Sequence, residues 1–228
     1  APGIHPEVEM TRFLTEAGVE GVAPLLGHAE RVGTDGVPST LLILQAFVRN
    51  QGDGWGWALD WLRRAMNEAE ADHAEAGDPF AGYIGFASAI GRRLAEMHAA
   101  LAAPTEDPAF TPEAATSRDV TRWIAATASS LGAALDALGR RDAWESEETA
   151  QLVRSLTEQR QPLLDALRRL RPADGAILKT RVHGDFHLGQ VLVVQGDAVI
   201  VDFEGEPARS LAERRAKTSP MKDVAGLL

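Results

Sequence analysis

Two apolar runs, VLVV at 191–194 and AVIV at 198–201, are separated only by Gln195-Gly196-Asp197. β-branched residues fit a pleated, half-buried surface, and Gly-Asp is turn chemistry. The spacing predicts a tight hairpin, with strands over 191–194 and 199–202 joined by residues 195–198 around Gly196-Asp197. Runs this apolar belong in a core. Yet the surrounding segment 182–206 also carries His183, His187, Asp185, Asp197, Asp202, Glu204 and Glu206. In an antiparallel pair the start of one strand lies beside the end of the other. Asp185, Gln190 and Asp202 should therefore converge at the open end of the hairpin. Two carboxylates and an amide oxygen are hard-cation ligands, and a carboxylate is also a proton acceptor.

The rest of the chain reads as mostly helical. Residues 6–17 place Val8, Phe13 and Leu14 near one helical face, with Pro6 at the start and Gly18 past the end. Residues 39–48 (STLLILQAFV) follow Pro38 and read as a buried strand. A glycine-rich turn (RNQGDGWGW) then leads back to helical period. Helices are expected over 84–101, over about 119–139 around Trp123, Leu131, Leu135 and Leu138, and over 147–170 with a kink or break at Pro162. The loop APTEDPAF at 103–110 is the best candidate for a mobile connection. Helix, strand, many helices and a hairpin make an α+β chain.

Composition narrows the function. The net charge of −10 argues against nucleic acid or an anionic membrane as partner. The sequence has no cysteine, which excludes disulfides and thiolate metal sites. No run approaches the roughly 20 apolar residues that span a bilayer, and no export segment is recognisable. A cytoplasmic protein is expected.

HGDFHLGQ (183–190) resembles the catalytic loop of the aminoglycoside-phosphotransferase-like kinases, whose pattern is H-G-D-x4-N, and VDFEGEP (201–207) resembles their metal-binding strand end. The narrower form, HLGQ followed by DFEGEPARSLAERR, is similar to bacterial maltokinases, including those fused behind trehalose synthase, and to the related actinobacterial glucosamine kinases. FVRNQGDGWGWALDWL (47–62) and APTEDPAF also resemble the fused maltokinase form. The resemblance implies a protein-kinase-like fold. Residues 1–48 would be a partial N-lobe, and 49–228 a helical C-lobe with catalytic loop 183–190 and metal-binding strand end 202–206. It implies ATP and Mg2+ as cofactors, and maltose, phosphorylated to maltose 1-phosphate, as substrate. Glucosamine or an aminoglycoside is the alternative acceptor, trehalose synthase a possible partner, and a non-catalytic kinase-like scaffold the reading from another class.

The same resemblance assigns roles. Asp185 would accept the proton of the attacking hydroxyl, and His183 would brace the loop. Gln190 and Asp202 would hold magnesium, Gln190 standing where relatives have Asn. The backbone of Gln45, Ala46, Phe47 and Val48 would meet adenine. Glu7, with Glu9 in reserve, would be the helix glutamate that pairs with a strand lysine; that lysine and the phosphate-covering loop are expected upstream of Ala1, and more of the sugar pocket past Leu228. The chain alone is expected to be inactive. Asp223 would support the catalytic-loop backbone, while Glu204, Glu206 and Arg209 are candidate substrate contacts.

Competing readings exist for several of these residues. Asp185 and Asp202 could be turn-capping aspartates, and His183 with His187 could suggest zinc, although no further histidine sits nearby to complete a four-coordinate site. Glu206 and Arg209 could instead pair with Arg214 and Arg215, and Glu7 could be a favourable first-turn acid. Trp57 and Trp61 lie one helical turn apart, which favours core packing over sugar stacking.

Overall fold

The computed structural model describes residues 3–70, 80–141, 143–170 and 177–228. These form two compact units, one of residues 1–113 with 178–228 and one of residues 114–177. The larger unit carries the hairpin and every candidate site residue.

Helix α1 (Pro6–Glu16) has proline in its first turn, where a missing N–H costs nothing, and is followed by Gly18 at φ +71°. It buries Val8, Met10 and Leu14. Strands β1 (Leu25–Val32) and β2 (Pro38–Gln45) form an antiparallel ribbon. Sequence reading missed β1 because LLGHAERV lacks clean alternation. It also expected a buried strand at 39–48. Instead β2 stops at Gln45, and Leu41, Leu42 and Leu44 are exposed. A two-stranded ribbon has two faces, and the rest of the larger unit covers only part of this one.

Helices α2 (Gly54–Glu70) and α3 (Ala81–Leu101) follow. Phe86, Ile90, Leu94, Met97 and Leu101 recur every three or four residues along α3, so one stripe faces the core. That core also takes Met10 and Leu14 from α1 and Val191, Val193, Ala198 and Ile200 from the hairpin. Trp57 packs 4.5 Å from the Phe86 ring, and Trp61 5.2 Å from Tyr83. Trp57 and Trp61 pack against aromatic neighbours, whereas Trp55 is exposed.

The hairpin consists of β3 (Val191–Val194) and β4 (Asp197–Ile200), in register from Val191 opposite Ile200 to Val194 opposite Asp197. The turn is one residue earlier than the sequence suggests. Gln195 and Gly196 are its central residues, at φ +52° and +83°, which is the two-residue turn whose twist suits a hairpin. Both edges are occupied by irregular chain. Val193 N–H donates to Gly52 O (3.0 Å) on one side, and Ile200 N–H to Gly21 O (2.8 Å) on the other. The turn end is clamped onto α3: Arg93 gives two hydrogen bonds to Asp197 (2.6 and 3.1 Å) and Arg92 a third (3.0 Å). The Arg93 guanidinium holds the Asp197 carboxyl down to about 2. Short helices α7 (Leu211–Arg214) and α8 (Met221–Leu227) complete this unit.

The smaller unit contains α4 (Ser117–Gly139), α5 (Glu147–Glu158) and α6 (Arg160–Arg169) as they follow in sequence. Thr116 and Asp119 form a reciprocal capping box that starts α4. The expected helix over 147–170 is broken, but at Gln159 rather than at Pro162. Pro162 falls in the first turn of α6, where its lost N–H has no helical partner to miss. Arg160 fixes the junction by bonding Asp136 (2.5 Å) on α4.

Candidate active site

The loop entering β3 is held by one buried carboxylate. Asp223, 1% exposed on α8, accepts the backbone N–H of His183 and of Gly184, both at 2.9 Å, and meets His98 Nε2 at 2.9 Å. Burial alone would push Asp223 up, but the bonds from His98, Gly184 and His183 outweigh it and hold the carboxyl below its ordinary range. His98 comes from the last turn of α3. Sequence reading missed it, because a lone histidine in EMHAAL gives no local signal.

His183 is buried, and burial holds its pKa low, so the neutral ring is favoured. Its Nε2 bonds Val201 O (3.0 Å) and its Nδ1 receives Asp185 N–H (3.4 Å), tying the loop to the end of β4. Both ring nitrogens are thereby engaged in bracing. His187 has a local role too, its Nδ1 accepting Gly189 N–H (3.0 Å) at a single 3-10 turn over Leu188–Gln190. Among the described residues, no group of three or more His, Cys, Asp or Glu is arranged to hold a metal.

Gln190 and Asp202 meet at the open end of the hairpin. Gln190 Nε2 donates to Asp202 Oδ2 (3.1 Å), and Val201 N–H donates to Gln190 O (3.0 Å). Asp202 is exposed and sits at φ +67°, a left-handed conformation costly for any residue but glycine. Asp185 is half-buried on the adjacent loop, and Asp185 and Asp202 both act on the charge of His183. The two loops touch through glycine: a Cβ on Gly184, at φ +88°, would lie 3.6 Å from Gly205 Cα. The start of α2 closes the floor, where a Cβ on Gly54 would stand 2.9 Å from Leu188 O.

Glu7 lies beside this arrangement on α1. Its Oε1 accepts Gln45 Nε2 (2.7 Å), whereas Oε2 is buried with no hydrogen-bond partner among the described residues. Burial pushes the carboxyl up to about 7; Asp202 and Glu204 add to the rise, while the Gln45 amide and the nearby Phe203 N–H act against it. The other expected contacts are more dispersed. Ala46 N–H is committed to Pro24 O (2.8 Å), Val48 O receives the Asn50 side chain (2.9 Å), and Phe47 is 90% exposed. Glu204 lies 3.6 Å from Arg214 and 3.9 Å from His5, and Glu206 pairs with Arg209 (3.1 Å).

Residues 1–205 match the APH phosphotransferase enzyme family. The chain belongs to that family. It is 31% identical over 191 residues to a glucosamine kinase of Streptacidiphilus jiangxiensis, covering 83% of this chain and 38% of that protein. It is 27% identical over 226 residues to a glucosamine kinase of Mycolicibacterium smegmatis, covering 99% of this chain and 50% of that protein. The chain thus spans half or less of the length of these relatives. A solved glucosamine kinase in complex with glucosamine, ADP and inorganic phosphate matches with a TM-score of 0.71 at 26% identity, over 98% of this chain and 50% of that one. The α+β kinase-like fold expected from the sequence is the fold of this APH member. These relatives are named for glucosamine and not for maltose. Among the described residues, no helix is long and apolar enough to cross a membrane.

Proposed function

We propose that this APH chain is the phosphoryl-transfer part of an ATP-dependent sugar kinase whose acceptor is glucosamine or a closely similar amino sugar. The observation that carries the reading is the meeting of Gln190 and Asp202 at the hairpin end, beside the loop that presents Asp185. The names of the relatives support the amino sugar over maltose, trehalose synthase as partner and an α-glucan route.

The residues divide the work. Asp185 orients the acceptor hydroxyl and takes its proton, while His183 and Asp223 fix the loop that carries it. Amide and carboxylate oxygens on neighbouring backbone make a donor set that suits a hard divalent cation, so Gln190 and Asp202 would hold magnesium. When bound, that ion neutralises charge on the transferring phosphoryl group. Glu7, with one buried oxygen lacking a donor, is the acid that an ammonium group would hold. The chain between Gln45 and Val48 lies at the end of β2, where an adenine edge would meet backbone groups.

The test is an ADP-release assay on the full-length protein with ATP and magnesium, comparing glucosamine, maltose and kanamycin. Turnover with glucosamine alone is expected. Turnover with maltose alone would restore the maltokinase reading, and nucleotide binding without turnover on any acceptor would favour a scaffold. Asp185→Asn should lower turnover by about 10²-fold or more, the scale of general-base loss. A nearly unchanged rate would remove Asp185 from that role.

A further inference from the structure

A second feature of the larger unit lies outside this machinery. A cavity of about 420 Å³ is walled by Lys179, Arg181, Arg215 and Lys217, with Glu113 as the acidic side chain among the described residues of its lining. Glu113 bridges the two lysines, at 3.2 Å from Lys179 and 2.7 Å from Lys217, and Lys217 also bonds Pro108 O (2.8 Å). Behind the wall Glu9 accepts both Arg215 Nε (2.7 Å) and Arg215 Nη2 (2.8 Å). Asp107 adds a weaker attraction on Arg181.

Arg181 is the residue these partners leave unsatisfied. It is 1% exposed, with its guanidinium 5.0 Å above the Phe110 ring. Nη1 donates to Glu9 Oε2 (3.1 Å), whereas Nε and Nη2 are buried and, among the described residues, have no hydrogen-bond partner. Those two form one edge of the guanidinium, the parallel pair of N–H groups that matches two oxygens of a phosphate or carboxylate. An unmade hydrogen bond on a buried charged group is costly, and an acceptor that filled this edge would remove the cost.

We infer that this cavity is a binding site for a small oxyanion, held side-on by Arg181 Nε and Nη2 and flanked by Lys217 and Lys179. The chemistry admits a phosphate or a carboxylate, and the site is independent of the kinase reading. Arg181 stands two residues before His183 and its partner Glu9 two residues after Glu7, so the cavity abuts the same two segments that carry the candidate active site.

The experiment follows the Arg181 Nε–Hε resonance by NMR in the isotope-labelled full chain, titrated separately with inorganic phosphate, acetate and chloride at matched ionic strength. A saturable displacement by phosphate or acetate, absent with chloride, is expected, and the more effective of the two identifies the class of oxyanion. Lys217→Gln should weaken that binding about tenfold, the scale of one charge-assisted hydrogen bond. A resonance unmoved by both oxyanions, or moved equally by chloride, overturns the proposal. So does binding of unchanged strength in a folded Lys217→Gln variant.

Discussion

Glu7 and Glu9 stand two residues apart on α1, and both are taken largely out of water, yet they carry opposite electrostatic states. Burial pushes each carboxyl up. At Glu9 the bonds from Arg215 and Arg181 outweigh burial, and the group sits below its ordinary range. At Glu7 burial outweighs the Gln45 amide and the nearby Phe203 N–H, and with Asp202 and Glu204 adding to it the carboxyl is pushed up to about 7. One turn of helix therefore presents a fixed charge on one side and a proton-carrying acid on the other. What separates them is the partner supplied by the rest of the fold, not depth. Glu9 has both oxygens bonded by Arg181 and Arg215, while Glu7 keeps one oxygen without a donor among the described residues.

The contrast breaks most sharply at Glu9. Glu9→Ala strips Arg181 of its carboxylate and leaves a buried charge uncompensated, so a loss of about 3–5 kcal/mol is expected in urea denaturation at neutral pH. Next comes the pH dependence of Glu7. Its folded pKa lies above the ordinary 4.5, so its contribution to stability is fully present below that value and is lost as pH rises through about 7. The loss amounts to about 3 kcal/mol, and Glu7→Gln should remove it, leaving a variant more stable than the parent at pH 8 but equal near pH 4. Denaturation curves at several pH values check the sign. Arg215→Gln should cost only about 1 kcal/mol, since Arg215 is partly exposed. It should also move the Glu9 titration upward, read by carboxyl-carbon NMR. Gln45→Leu is the mildest change: about 1 kcal/mol at high pH, with the Glu7 midpoint moving higher still.

Much of the candidate site was legible because its signals are local. Gln190 and Asp202 lie on either side of a hairpin whose register follows from two apolar runs and a turn, so chain direction alone brings these two side chains together. The helices were legible from spacing, as the α3 stripe from Phe86 to Leu101 illustrates. What escaped depends on distant chain. β1 is revealed only by its pairing with β2, since its own residues do not alternate. His98 reaches Asp223 across 125 positions, and Arg181 reaches Glu9 across 172. Neither pair leaves a mark in its neighbours. The break at Gln159 was misplaced because proline disrupts a helix only after its first turn, and the helix start had not been located.

The hairpin turn at Gln195-Gly196 also gives the site a history. A hairpin closed by two residues forms in about 1–10 μs when its turn is pre-set, because little chain entropy is lost in closing it. Gln190 and Asp202, 12 positions apart, are joined by a loop far shorter than those closed by the rest of the site. The brace from α3 and α8 closes loops of 125 and 40 residues, and belongs to the slow, cooperative end of folding. Local pairing of Gln190 with Asp202 is thus expected to precede the locking of the neighbouring loop, an order that φ-value measurements on the hairpin and on Asp223 would check.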